Sequence, residues 1–316
     1  MPSFDGGHYF LTALIPVRME PVESTTTSGS VTSHLHALRE VLASLPTALQ
    51  SPATEQIGVN SPFAHDARTH FARLFVVDDL AFNGRNPRNP IKVAVLGPPP
   101  SQFDPVDRLC GAYLVYVTDF DAPDGEAATV EAYLRGLWAV MEPEWRGMLQ
   151  HCHGYGRVSD AAGFAKLIRA CQVETTMPFN DYWEGGPPLQ PLPLKPFVYS
   201  AIGGAALLLL GLLMAIFADG GWLWLALIGL LVLVGTVAWA FMRVTSEGSK
   251  PFPMAPRSDL PGVLKAVYLQ QRFTRFAIDA QGTDAATLHA RFGTFLAQHK
   301  PGDVAAPTQP RGVVRS

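Results

Sequence analysis

The run His151-Cys152-His153 combines side chains that are able to bind a transition metal, because imidazole and thiolate are common ligands of zinc, iron and copper. Adjacent residues point in different directions on a helix or strand, so at most two of the three can share one ion. A third ligand would come from elsewhere, and His70 and His65 are the candidates. The alternative is a histidine at a helix C-terminus, where a positive charge suits the helix dipole.

His70 and Arg73 form a second candidate pair, in a segment that reads as a β-strand. Alternation along a strand places them on opposite faces, His70 with Leu74 and Arg73 with Phe75. Either side chain would be able to line a pocket on the open face of a sheet. The alternative is a role at an edge or an interface.

Three carboxylates, Asp119, Asp121 and Asp124, follow a predicted strand. Close carboxylates can bind a cation or share a proton. Their spacing lacks the Gly and Glu positions of an EF-hand loop, and an acidic turn capping the next helix is the alternative. His34 and His36 are two residues apart on a predicted helix, so they diverge and receive no role. The sequence has no nucleophile-elbow, zinc-protease, Walker A or dinucleotide-binding signature.

These candidates belong to a front domain, residues 1–180, whose patterns alternate between strand and helix periodicity. The order β-α-β-β-α-(α)-β predicts an α+β fold, a ferredoxin-like antiparallel sheet with helices on one face. Residues 80–110 form an insertion with a possible strand at 91–96. An open sheet face of this kind predicts a homodimer formed through it. The predicted strands are 8–17, 70–77, 112–118 and 172–177, and the predicted helices are 32–45, 127–150 and 160–171.

Two uncharged apolar stretches, 197–217 and 221–242, predict a transmembrane helical hairpin over residues 197–242. Each is long enough to cross the roughly 30 Å hydrocarbon core of a bilayer. The connector Ala218-Asp219-Gly220 is too short to recross the membrane, so the helices must be antiparallel. Neither span contains an ionisable residue, which favours an anchor over a transport path.

Basic residues flank the hairpin and are absent from its connector. Lys195 precedes the first span, and Arg243, Lys250 and Arg257 follow the second. Positive charge is retained on the cytoplasmic side, so both termini are predicted to be cytoplasmic, with two spans in the cell (inner) membrane. Small residues on one face of each span predict close helix packing: Ser200, Gly204 and Gly211 in the first, and Ala226, Gly229, Thr236 and Ala240 in the second.

Three segments complete the predicted domain organisation. Residues 181–196 form a Pro-rich linker, and residues 243–302 form an amphipathic helical pair. So much apolar surface cannot stay in water, and the pair either packs on the front domain or lies in the lipid headgroup layer. Residues 303–316 are rich in Pro and Ala and are predicted to be disordered.

Composition excludes some classes of protein. Charged residues make up 16% and hydrophobic residues 48% of the chain, which is too apolar for an average soluble domain. The net charge of −3 and the absence of a basic footprint predict no nucleic-acid partner. Three cysteines without C-x-x-C spacing predict neither a disulfide framework nor a structural zinc site, and they fit a reducing compartment.

Three runs, SPFAHDARTHFARLFVV, LVYVTDFDAPDG and HCHGYG, resemble uncharacterised bacterial proteins of the dimeric α/β-barrel (ferredoxin-like) superfamily. That superfamily includes dye-decolorising haem peroxidases and chlorite-dismutase-like enzymes. The peroxidases carry Gly-x-x-Asp-Gly, and the corresponding string here is Asp121-Ala122-Pro123-Asp124-Gly125. The resemblance implies haem or a transition metal, with His70, Arg73, His151 and His153 as the candidate residues.

Together these patterns predict a membrane-anchored cytoplasmic protein whose ferredoxin-like domain binds a partner or a small ligand. The residues alone predict no cofactor and name no reaction. The alternative, which the resemblance implies, is a membrane-tethered oxidoreductase of the peroxidase type that depends on haem or a metal.

Overall fold

The chain forms two compact units in a computed structural model. The hairpin unit comprises residues 183–253, and the α+β unit comprises residues 2–182 together with 254–316. The structure describes residues 3–23, 30–49, 56–79, 95–97, 109–174, 185–218 and 220–313. Most of the predicted insertion at 80–110, and most of its possible strand at 91–96, lies outside the described residues.

The α+β unit contains seven strands and five α-helices among its described residues, and each long strand predicted from the sequence is present. The C-terminal residues 254–313 contribute the last two helices to this unit. The strands are β1 Phe4–Asp5, β2 His8–Pro16, β3 Pro21–Glu23, β4 Val31–Ser33, β5 Thr69–Val77, β6 Tyr113–Asp121 and β7 Gln172–Val173. The helices are α1 His34–Ser44, α2 Ala127–Leu149, α3 Ala161–Ala170, α6 Leu260–Asp279 and α7 Ala285–His299, with α4 and α5 in the hairpin unit.

The main sheet has the order β1-β2-β6-β5, and β7 also pairs with β2. Every pairing is antiparallel. The two long central strands are in continuous register from His8 opposite Asp121 to Pro16 opposite Tyr113. The mixed α and β content and the antiparallel sheet that the sequence predicts are therefore present.

The helices α2 and α3 pack on one face of the sheet, and their side chains form the core together with every second residue of the strands. Leu11, Ala13 and Ile15 of β2 are fully buried, whereas Phe71 and Phe75 of β5 are exposed. The largest buried side chains include Tyr116 and Trp145, whose rings are in edge-on contact. One face of the sheet is thus packed on side chains of the core, and its other face carries exposed aromatic residues.

Local signals set the helix boundaries. The Ser33 hydroxyl accepts the His36 N–H and begins α1. Helix α2 is broken at Met141, just before Pro143, because proline cannot donate a helical hydrogen bond and its ring clashes with the preceding turn. Helix α7 begins after Asp284, whose carboxylate accepts the N–H groups of Ala286 and Thr287 and suits the positive end of the helix dipole.

The C-terminal segment is part of the α+β unit, and this corrects one prediction. Residues 303–316 were predicted to be disordered from their composition, but the structure describes them as turns up to Val313. The buried ammonium of Lys265 donates to the carbonyls of His299 and Pro307, and Leu49 pairs with Val313. These hydrogen bonds hold the segment in a defined conformation, and they cannot be predicted from its amino-acid composition.

The hairpin unit contains two long apolar helices, α4 Leu194–Phe217 and α5 Leu223–Gly248, that are long enough to cross a membrane. Gly211 lies against Ala226, and Gly229 lies against Leu208 so closely that a Cβ on either glycine would overlap backbone atoms. The helices therefore meet in antiparallel orientation on small residues, as predicted. The connector residue Asp219 lies outside the described residues.

Candidate functional site

A cluster of polar side chains lies at one end of the main sheet. It consists of His8, His70, Asp119 and Asp121, and we call it the sheet-end cluster. His8 begins β2 and stands directly opposite Asp121, the last residue of β6. Asp119 lies two residues earlier and so shares the face of Asp121. Long-range strand pairing therefore brings the front of the chain to carboxylates more than a hundred residues later.

His70 joins this cluster because β5 contains a bulge. Thr69 is opposite Phe120 and Phe71 is opposite Asp119, so His70 is the extra residue between them. A bulge turns a side chain away from the direction that strict alternation gives it. The prediction that His70 shares a face with Leu74 is therefore wrong. His70 lies against Asp121, while Leu74 packs on the core.

Asp121 links the members of the cluster. Its Oδ1 is 2.8 Å from His70 Nε2, and its Oδ2 accepts the backbone N–H of Leu260 at 2.9 Å. His8 Nδ1 is 3.5 Å from Asp119 Oδ1, and the His8 and His70 rings are 4.7 Å apart in an edge-on arrangement. The exposed side-chain fractions are 1% for His8, 9% for His70, 11% for Asp121 and 23% for Asp119.

The segment Met254–Leu260 covers the cluster. The Leu260 N–H reaches Asp121, and the backbone of Ser258 contributes to raising the pKa of His8. Gly7, beside His8, has a positive φ of 82°, and a Cβ there would lie 2.6 Å from the Met254 side chain. The cover therefore fits closely over the end of β2, at a position that favours glycine.

The charge balance of the cluster favours cations. Burial disfavours the charged form of His8, but the neighbouring Asp119 and Asp121 carboxylates outweigh burial, so the pKa of His8 lies above its ordinary value. Two carboxylates and two imidazoles thus share a site that is largely closed to water. Such a set is able to hold a positive ligand, to bind a metal ion, or to exchange protons between a histidine and a carboxylate.

The second histidine site lies at the opposite end of β2, and we call His34 and His151 the histidine pair. Their Nδ1 atoms are 2.9 Å apart, so one ring donates a hydrogen bond to the other. Both residues are buried. Burial and the nearby positive charge of Arg18 lower the pKa of each ring. The prediction that gave His34 no role therefore missed its contact with the helix-terminal His151.

The other members of the His151-Cys152-His153 run do not complete a metal site with it in the structure. Cys152 is buried, its thiol faces the Met148 carbonyl, and burial raises its pKa to about 12. A thiol of that pKa stays protonated and is a poor metal ligand. His153 is exposed. The backbone of this run pairs with the end of β2, where Val17 bridges to Cys152.

The structure separates the residues that the sequence offered as one set. His8 lies beside His70, and Arg18 donates its backbone N–H to the His151 carbonyl. The extended chain from His8 to Arg18 is roughly 30 Å long. His70 therefore cannot supply the third ligand to His151. Arg73 is exposed, and its guanidinium lies over the Phe75 ring.

The acidic turn divides into two roles. Asp124 accepts the Glu126 N–H and the Thr129 hydroxyl beside the start of α2, but its side chain does not cap the backbone N–H groups of that helix. Asp119 and Asp121 belong to the sheet-end cluster instead. His8 was missed altogether. The signal that points to it is strand register, because pairing 8–17 with 112–121 would have placed His8 opposite Asp121.

Comparisons of the chain with protein-family models, with curated proteins and with solved structures give no match.

Proposed function

We propose that this is a membrane-anchored protein whose ferredoxin-like α+β unit binds a small ligand at the sheet-end cluster. The observation that supports ligand binding is the concentration of two imidazoles and two carboxylates at a buried sheet end under a fitted cover. Ionisable groups are rarely buried together without a partner or a function, because each costs free energy to remove from water.

The anchor is supported by the hairpin unit. Only 11% of the apolar window of either helix is buried, which distinguishes them from the core helices of a soluble protein. Exposed Leu, Phe and Trp side chains in these helices suit lipid rather than water. The flanking basic residues favour cytoplasmic termini and so support a cytoplasmic location for the α+β unit.

The ferredoxin-like assignment is supported by the strand order. The strands β2, β5, β6 and β7 follow one another in the chain with α1 after the first and α2 and α3 before the last. In the sheet they take the order β7-β2-β6-β5, with antiparallel neighbours throughout. The split β-α-β arrangement produces this order, because each crossover skips the strand between its ends.

Two measurements on the full chain test the proposal. We expect the protein to stay in the membrane fraction after alkaline extraction, and release into the soluble fraction would contradict the anchor. Native mass spectrometry of the detergent-purified protein is expected to show a bound mass that is lost in the double variant His70→Gln, Asp121→Asn. Identical spectra for the two proteins would contradict ligand binding at this site.

A membrane-tethered oxidoreductase is the second candidate, favoured by the two imidazoles and the carboxylate at hydrogen-bonding range, which suit a redox metal. Haem, which the family resemblance implies, finds less support, because His70, Arg73, His151 and His153 do not converge on one site. An absorption spectrum of the purified full chain distinguishes a haem protein from one that binds a redox metal without haem. A Soret band would establish haem, and its absence would contradict a haem peroxidase activity.

The homodimer through the open sheet face stays a prediction. Phe71 and Phe75 of β5 are 52% and 37% exposed, as such an interface requires. Light scattering of the full chain in detergent, compared with a Phe75→Arg variant, tests it. We expect the variant to lose dimer, and a wild-type monomer would contradict the prediction.

A further inference from the structure

We infer that the ligand of the sheet-end cluster is a divalent first-row transition metal, held by His8, His70 and Asp121, with Asp119 orienting His8. The inference rests on the proposed function, since it names the ligand class of the same site. The residue types, their spacing and the hydrogen bonds behind them carry it.

The three ligand groups are close enough to reach one ion. One ligand atom from each of His8, His70 and Asp121 can be chosen so that all lie within 4.8 Å of one another. Adjacent ligands of a six-coordinate ion, each about 2.1 Å from the metal, lie about 3.0 Å apart. The 2.8 Å separation of His70 Nε2 and Asp121 Oδ1 already matches that spacing. A rotation of His8 would close the rest.

The groups behind the ligands are also those of a metal site. A metal-binding histidine usually donates its other ring N–H to a carboxylate, and a metal-binding carboxylate is itself hydrogen-bonded. His8 Nδ1 faces Asp119 Oδ1 at 3.5 Å, so in the proposed site His8 would coordinate the metal through its other ring nitrogen, Nε2. Asp121 directs Oδ1 to His70 and receives the Leu260 N–H on Oδ2. Two of the three ligands thus have supporting partners in place.

The composition of the set selects the class of metal. Two imidazoles and one carboxylate suit Zn²⁺ and Fe²⁺, with positions left for water or a further ligand. Mg²⁺ and Ca²⁺ prefer oxygen ligands and are expected to bind poorly. The histidine pair offers two imidazoles but lacks a third ligand among the described residues, so it serves as an internal comparison.

The cover is expected to respond to the metal. The backbone of Ser258 interacts electrostatically with the His8 ring, and coordination of a metal by that ring would change this interaction. The Ser258 hydroxyl is buried and has no hydrogen-bond partner among the described residues. Metal binding is therefore expected to change amide exchange in the segment Met254–Leu260.

Metal titration of the full chain tests the inference. The protein is purified in detergent with a tag that contains no histidine, stripped with a chelator, and titrated with Zn²⁺ and with Co²⁺ as a spectroscopic probe. We expect one ion per chain, a Co²⁺ visible band, and little heat from Mg²⁺. The absence of saturable Zn²⁺ binding by folded protein would overturn the inference.

Matched variants locate the ion. His70→Gln and Asp121→Asn are expected to abolish binding, and His151→Gln and the exposed His36→Gln are expected to keep it. Asp119→Asn keeps the ligands and is expected to weaken binding roughly 10- to 100-fold. If near-ultraviolet circular dichroism shows that the His70 and Asp121 variants do not fold, the Asp119→Asn variant is the remaining test. Unchanged metal binding by Asp119→Asn would then contradict the inference.

Native mass spectrometry separates this inference from the proposal on which it rests. A bound organic mass that depends on His70 and Asp121, in protein that takes up no metal, would overturn the metal assignment and leave ligand binding intact. If the protein bound neither a metal nor an organic ligand, both the metal assignment and the proposed ligand binding would be contradicted.

Discussion

The α+β unit contains two contacts between buried histidines, and they differ in the charges around them. In the sheet-end cluster, His8 and His70 lie among Asp119 and Asp121. In the histidine pair, His34 and His151 contact each other, and burial and Arg18 lower the pKa of both rings, opposed only at His34 by the Glu20 carboxylate. The same residue type is thus placed once where positive charge is favoured and once where it is opposed.

The difference in surrounding charge indicates that the sheet-end cluster is the site better suited to a ligand. In the pair, one imidazole donates a hydrogen bond to the other, so one ring nitrogen of each histidine has its partner within the pair. The cluster holds two carboxylates beside its imidazoles, and it lies under a separate covering segment. Burial of histidine alone is therefore weak evidence for a site, while burial together with carboxylates and a cover is stronger.

The largest expected effect comes from removing Asp121. Asp121→Ala leaves the His70 ring and the Leu260 N–H without their acceptor, and we expect a loss of about 3 kcal/mol in the free energy of unfolding. Hydrogen exchange of the β2 and β6 amides in the full chain measures it. Asp124→Ala, in the exposed turn nearby, is the control and is expected to cost much less. Equal losses would show that the cluster is not a stabilising unit.

A smaller effect is expected from the histidine pair. His151→Ala leaves His34 Nδ1 without its partner in a buried position, which costs about 1–2 kcal/mol. The variants His34→Ala and His151→Ala and their combination form a double-mutant cycle, with a coupling energy of about 1 kcal/mol expected. His153→Ala changes the exposed neighbour and serves as the control. Strict additivity would mean that the ring contact contributes nothing.

The sequence predicted the elements of this molecule better than it predicted their contacts. The strand at 70–77 and the helix at 127–150 follow from local periodicity, and the hairpin follows from apolar length. The small residues Gly211 and Ala226 were expected at the helix contact because close approach in lipid depends on side-chain size. Each of these features is encoded within a short window of residues.

The sheet-end cluster depends on relations that no short window contains. His8 meets Asp121 only through the register of β2 with β6, and His70 joins them only because β5 has a bulge. Strict alternation places His70 on the same face as Leu74, which the bulge changes. The Leu260 N–H reaches Asp121 from a segment that follows it by 139 residues in the chain. The run His151-Cys152-His153 suggested a metal site because its residues are adjacent in the chain. Adjacent side chains point in different directions, so they are poorly placed to bind one metal ion.

The smallest expected effect is a pH dependence that belongs to the histidine pair. The folded-state pKa values of His34 and His151 are lowered by burial and by Arg18, so the unfolded chain binds protons more readily. Stability is then full above the unfolded value of about 6.5 and is lost as the pH falls through the folded values. Thermal melting of the full chain between pH 7.5 and 5, at roughly constant ionic strength, measures it. The double variant His34→Gln, His151→Gln should flatten this dependence, and a variant as steep as wild type would place the proton uptake elsewhere in the chain.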